Sequence, residues 1–159
     1  METIEYKTID KSNWPSGPWD NEPDKIQFED DDTKFPCLIV RSNSGALCGY
    51  VGVKLGHPLY GVYYNNIKEE IVVHGGLSYS DFCDSDGDES RSICHVNDSD
   101  DSRIWWLGFD CARFQDWIPR FARSLHSYSA SYKDIDYLKS ELKNLASQLK
   151  CLGEKNVIN

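Results

Sequence analysis

No stretch of this chain is apolar for long enough to cross a bilayer. Its start, METIEYKTIDKS, has neither the basic region nor the apolar core of a secretion signal. The expectation is a cytoplasmic protein with no membrane partner. Its six cysteines include no C-x2-C pair, the spacing a structural zinc site needs. In the cytosol they are expected as six reduced thiols, mostly small core residues. Basic residues are scarce, with 17 Lys and Arg against 26 Asp and Glu and a formal charge of −9. That balance argues against nucleic acid as a partner, because phosphate contact needs a basic face. The chain has no Walker A loop, no G-x-S-x-G elbow, no H-E-x-x-H and no G-x-G-x-x-G. The run Asp84-Ser-Asp86-Gly-Asp88 places its glycine too early for a calcium loop. No metal, cofactor or enzyme class is therefore indicated.

What is present describes a globular α+β protein. The 159 residues, 40% hydrophobic and 13% aromatic, suffice for one domain with a real core. Residues 1–34 hold Pro15, Gly17, Pro18 and Pro23 around Trp14 and Trp19, and read as an irregular N-terminal arm pinned by the two indoles. FPCLIVR (35–41), SNSG and ALCGYVGVK (46–54) read as a β-hairpin. Gly49 and Gly52 in its second strand suggest a bulge or a close approach of another backbone. EIVVHGGLSY (70–79) and RIWWLGFDCA (103–112) read as further strands, the latter apolar on both faces and central. The acidic stretch 81–101 between them reads as a long mobile loop. Residues 114–126 form a short helical or turn segment broken by Pro119. Ile135, Leu138, Leu142, Leu145, Leu149 and Leu152 recur at three and four residues, so the spacing predicts an amphipathic helix over 134–152. Gly153 is its expected stop. The result is a predominantly antiparallel sheet closed by a C-terminal helix, one domain over 35–153 and a flexible tail over 154–159.

Several positions could carry chemistry. His74 beside Gly75 and Gly76 offers a histidine next to an accessible backbone, although a core histidine beside a β-bulge fits equally. Trp105-Trp106 followed by Asp110 offers a stacking ring and a carboxylate for a base edge or ribose; a core strand with a turn-anchoring aspartate is the plainer reading. Arg113 could hold a phosphate or pair with an acid such as Asp116. The leucine stripe suits packing on the chain's own sheet, and its narrow form also suits a second subunit. Asp30–Asp32 and residues 81–101 are solvated loops or a surface for a basic partner.

GHPLYG (56–61), VHGGLSYS (73–80), WWLGFDCA (105–112) and YKDIDYLKSELKNLASQL (132–149) together resemble a widespread family of small, mostly uncharacterised phage and prophage proteins. The resemblance spans about residues 36–150. Members usually continue FDCA with histidine, a small residue and Gly-Asp; here Arg113-Phe114-Gln115-Asp116 stands instead, and only the aspartate corresponds. The resemblance implies an anti-defence protein that sequesters a nucleotide immune signal, a cyclic dinucleotide or ADP-ribose derivative, as a homo-oligomer. The ligand contacts expected are His74, Gly75, Gly76, Tyr79, Trp105, Trp106, Asp110 and Arg113. An acidic inhibitor or DNA mimic is the alternative, and a hydrolase using His74 and Asp110 a third.

Overall fold

The computed structural model describes residues 2–83, 88–95, 103–121 and 126–158. Six strands form one antiparallel sheet: β1 (Ile4–Tyr6), β2 (Lys25–Glu29), β3 (Pro36–Arg41), β4 (Leu47–Val53), β5 (Tyr79–Phe82) and β6 (Trp105–Asp110). One helix, α1 (Ile135–Ile158), closes the fold, so the α+β class holds. Spatial order is β1-β2-β3-β4-β6-β5. The first four strands meander, and β6 enters beside β4, leaving β5 at the edge. No helix among the described residues is long and apolar enough to span a membrane.

The β3–β4 hairpin turns at Gly45, whose φ of 96° and close contact with Pro119 and Trp14 both require glycine. Gly49 and Gly52 mark close approaches of side chains, not a bulge or a second backbone. The β4 register runs unbroken, with Phe109 and Leu142 filling the space at Gly49.

Alternation along the strands separates two faces. One carries Ile26, Ile39, Val51, Leu107 and Phe109, and receives Leu138, Leu142, Leu145, Ala146 and Leu149 of α1, each of these helix residues at 0% exposure. The leucine stripe is thus consumed by the chain's own sheet. The other face carries Leu38, Val40, Tyr50 and Trp106, together with the polar Lys25 and Gln27 of β2.

Four expectations are corrected. Residues 1–34 are not an irregular arm throughout, because β1 and β2 both join the sheet. In β2 only Ile26 and Phe28 face the helix-side core, so its apolar signal is two residues long. Trp19 does pin the intervening chain: it is 4% exposed and lies edge-on to Tyr132 at 5.0 Å. The strand expected over 70–79 is absent before Tyr79, since Gly75 and Gly76 adopt φ of 67° and 78° and make a turn. The helix does not stop at Gly153, which lacks the left-handed conformation of a stop, and 154–158 are helical rather than a tail. Finally, Cys83 and Cys94 form a disulfide, leaving Cys37, Cys48, Cys111 and Cys151 as free thiols.

The expected mobile loop over 81–101 is corrected where the structure describes it. Asp81 and Phe82 belong to β5, residues 88–95 fold against the second face, and 84–87 and 96–101 lie outside the described residues. Residues 114–121 and 126 form turns; 122–125 of that segment also lie outside the described residues.

Candidate functional site

Three separated segments meet around His74. The turn at Gly75–Gly76, closed by Gly76 N–H donating to Val73 O at 2.8 Å, presents the imidazole toward α1. Beyond β6 the chain turns tightly: Arg113 N–H donates to Asp116 Oδ2 at 2.9 Å, and Asp116 N–H returns to Arg113 O at 2.9 Å. This turn buries the Asp116 side chain beneath His74. Tyr137 and Glu141, four residues apart on one flank of α1, complete the cluster.

His74 is held on both sides. Its Nε2 donates to Asp116 Oδ2 at 2.9 Å, and its Nδ1 meets the Tyr137 hydroxyl at 2.7 Å. The neutral Nε2–H tautomer satisfies both bonds, with Tyr137 as donor. The His74 backbone N–H donates to Glu141 Oε1 at 2.8 Å. Lys133 Nζ lies 3.1 Å from Asp116 Oδ1, an ion pair without hydrogen-bond alignment. Burial pushes the Asp116 carboxyl up, but His74, the Arg113 amide and Lys133 outweigh it and lower its pKa. Burial, with Glu141 beside it, raises the Tyr137 phenol instead. A raised phenol is not an activated nucleophile. The cluster braces the turn, the β6 exit and the helix against one another.

An exposed lip lies beside this brace. Arg113 crosses Gly75, where a Cβ would meet its Nε at 3.0 Å, and its Nη2 reaches Asp110 Oδ2 at 3.2 Å. Ser78 Oγ donates to the same carboxylate oxygen at 3.0 Å. Gly76 opens onto space, and a Cβ there would meet nothing within 4 Å. Phe114 follows Arg113 and is 77% exposed.

The expected ligand residues therefore divide. His74, Gly75, Gly76, Asp110 and Arg113 converge. Tyr79 does not join them; it packs edge-on to Tyr50 at 5.1 Å with the second-face cluster. The expected pairing of the two motif segments occurs only between Tyr79–Phe82 and Trp105–Gly108, so the tryptophans sit away from the glycines. Trp105 is 2% exposed among Phe82 and Tyr63 on the helix side, and its Nε1 donates to Val62 O. Trp106 is 0% exposed on the opposite face, beside His95. Neither offers a ring to a ligand, and removing Trp106 would excavate a core rather than a binding surface.

Reasoning from the sequence missed Tyr137, Glu141, Lys133 and Ser78. The available signal was the YKDIDYLKSE segment, in which Tyr137 and Glu141 flank the leucine stripe at helical spacing.

A second polar cluster lies at the N-terminal arm. Arg41, 2% exposed, donates to Asp24 Oδ1 at 3.0 Å, Gly45 O at 2.8 Å, the Tyr132 hydroxyl at 2.8 Å and Pro23 O at 3.1 Å. Lys11 closes on the same Asp24 oxygen at 2.7 Å. A cavity of about 440 Å³ opens beside it, lined by Lys7, Trp14, Asp20 and Glu22 among others. None of the expected ligand residues lines that cavity. Among the described residues, no three His, Cys, Asp or Glu side chains are arranged to hold a metal. No protein-family model matches the chain, and no curated protein or solved structure is significantly similar to it.

Proposed function

We propose that the protein is a binder rather than a catalyst. It captures a small nucleotide signal at the lip formed by Gly75, Gly76, Ser78, Asp110 and Arg113, and so withdraws that signal from a host immune response. The anti-defence role and its phage setting rest on the family resemblance. One observation carries the binding reading: a partly exposed guanidinium lies across a glycine turn, beside a carboxylate and an open backbone. Arginine suits a phosphate, and Asp110 suits a ribose hydroxyl or base amine. Phe114, not a tryptophan, is the exposed ring available for stacking.

The hydrolase reading needs an activated nucleophile beside His74, and the raised Tyr137 phenol is not one. The DNA-mimic reading loses part of its Asp30–Asp32 patch, because Asp30 is buried and Asp32 is paired with Lys143. Homo-oligomeric sequestration stays within the proposal, with an interface other than the leucine stripe.

Calorimetry against cyclic dinucleotides and ADP-ribose derivatives tests the reading. Wild type binds, and Arg113→Gln weakens binding about ten- to a hundredfold with an unchanged melting temperature, the range for a lost charge-assisted hydrogen bond. Heating returns the ligand intact. Absence of binding across the panel, or recovery of cleaved ligand, overturns it.

A further inference from the structure

Residues 88–95 cover the second face of the sheet without adding a strand or helix to it. Local turns shape the segment: Arg91 and Ser92 N–H groups donate to Asp88 O, and Asp88 Oδ1 accepts from Ser90. Beneath lie Leu38, Val40, Tyr50 and Trp106, with Ile93 packed on them.

Several attachments hold the cover down, among them Arg91 Nη2 donating to Asn43 Oδ1 and His95 Nε2 bonding Cys37 O at 2.8 Å. Lys25 projects from β2 at 0% exposure, and its Nζ donates to Glu89 O at 2.7 Å and Cys94 O at 3.2 Å. Tyr6 supports this end by donating to Glu89 Oε1 at 2.8 Å. At Cys94, which Lys25 also reaches, the Cys83–Cys94 disulfide ties the cover to the residue that follows β5. Cys83 is exposed whereas Cys94 is 6% exposed, so a reductant can reach the bond from the Cys83 side.

We propose that the Cys83–Cys94 disulfide is a redox latch whose reduction releases the 88–95 cover and bares the Tyr50–Trp106 face, while the helix side stays folded. A dithiol reductant supplies the two electrons and two protons. Its thiolate attacks Cys83 Sγ, Cys94 leaves and takes up a proton, and the second reductant thiolate displaces Cys83 as a thiol. The reductant ends as its own disulfide. Lys25 keeps one end of the cover near the sheet, so reoxidation can reclose it. The aromatic face withheld in the closed molecule, Tyr50 and Trp106, becomes available only in the reduced one.

Hydrogen exchange read by mass spectrometry on the full chain, before and after dithiothreitol, tests the latch. Exchange of amides in 88–95 should accelerate by about tenfold or more, the mark of local opening, with exchange in α1 unchanged. The Cys83→Ser/Cys94→Ser variant should show the open pattern with or without reductant. Unchanged exchange in 88–95 would mean that the hydrogen bonds of Lys25, Arg91 and His95 hold the cover without the bridge. Acceleration in α1 alongside it would make the bridge a staple of the whole fold. Either result overturns the latch.

Discussion

The two faces of the sheet are covered by different means. On one, α1 lays a regular stripe of leucines into β3 and β4, and its first turn is capped. Asp134 Oδ1 accepts Tyr137 N–H at 2.9 Å, and Glu22 Oε2 accepts Ile135 N–H at 3.0 Å. On the other, an irregular segment is tied down by a buried lysine, a disulfide and the side chains of Arg91 and His95. Hydrophobic area secures the first cover from Leu138 to Leu149, whereas the second depends on a few specific attachments. Loss of one contact should therefore act globally on the helix side and locally on the cover side.

The largest test of that contrast is Leu142→Ala. Leu142 is 0% exposed and packs over Gly49, where no side chain could replace the lost volume without a shift. The substitution should cost about 2–5 kcal/mol in urea denaturation, and far- and near-ultraviolet circular dichroism should lose signal in one transition. A separate early transition of the helix would break the comparison, because the helix face would then be the locally unstable one.

The same contrast governs what is legible in the sequence. The helix stripe announces itself by period, and the 36–41 and 47–53 hairpin and the β6 strand by apolar runs between turn formers; the structure places them within one or two residues, apart from the helix end. The cover has no period to read. Its hold depends on Lys25, which alternation alone would send to solvent, and on a cysteine pair 11 residues apart with nothing in the sequence to single it out. The candidate site divides in the same way. His74, its glycines, Asp110 and Arg113 stand out by residue type, but their partners Tyr137 and Glu141 come from the helix through tertiary packing. Trp105 and Trp106 mislead because an aromatic pair in a central strand looks alike whether it faces a ligand or the two cores.

A smaller effect is expected from Lys25, the tether on the cover side. Burial lowers its pKa from 10.5 to about 8, although Glu89 and Asp88 pull it upward; the Tyr6 ring lies 5.3 Å away. Between those values the unfolded chain carries the proton and the folded one does not, so this group makes stability rise with pH. Cys37 and Cys48, raised from 9.0 to about 12 and about 11, act in the opposite sense from pH 9 upward. The clean window is therefore pH 7 to 9. Across it, the stability of wild type relative to Lys25→Met should increase by about 1 kcal/mol. A flat difference would mean that Lys25 keeps its charge beneath the cover.

The smallest effect sharpens the helix side at its far end. Gly153 is a helix stop by residue type, yet it lies within Ile135–Ile158 and has no left-handed backbone. A Cβ there would meet His57 Cδ2 at 3.4 Å, ordinary van der Waals contact, so alanine fits without displacing a neighbour. His57 itself anchors this end, with Nε2 donating to Leu149 O and Nδ1 accepting Leu59 N–H. In a helix interior glycine costs roughly 0.5–1 kcal/mol relative to alanine through the extra backbone freedom it loses on folding. Gly153→Ala should therefore stabilise the protein by up to that amount in urea denaturation, with a small gain in helical circular dichroism. A left-handed stop would give the reverse, because alanine is strained there. A measured loss of stability would end α1 at residue 152 and shorten the regular cover by its last turn and a half.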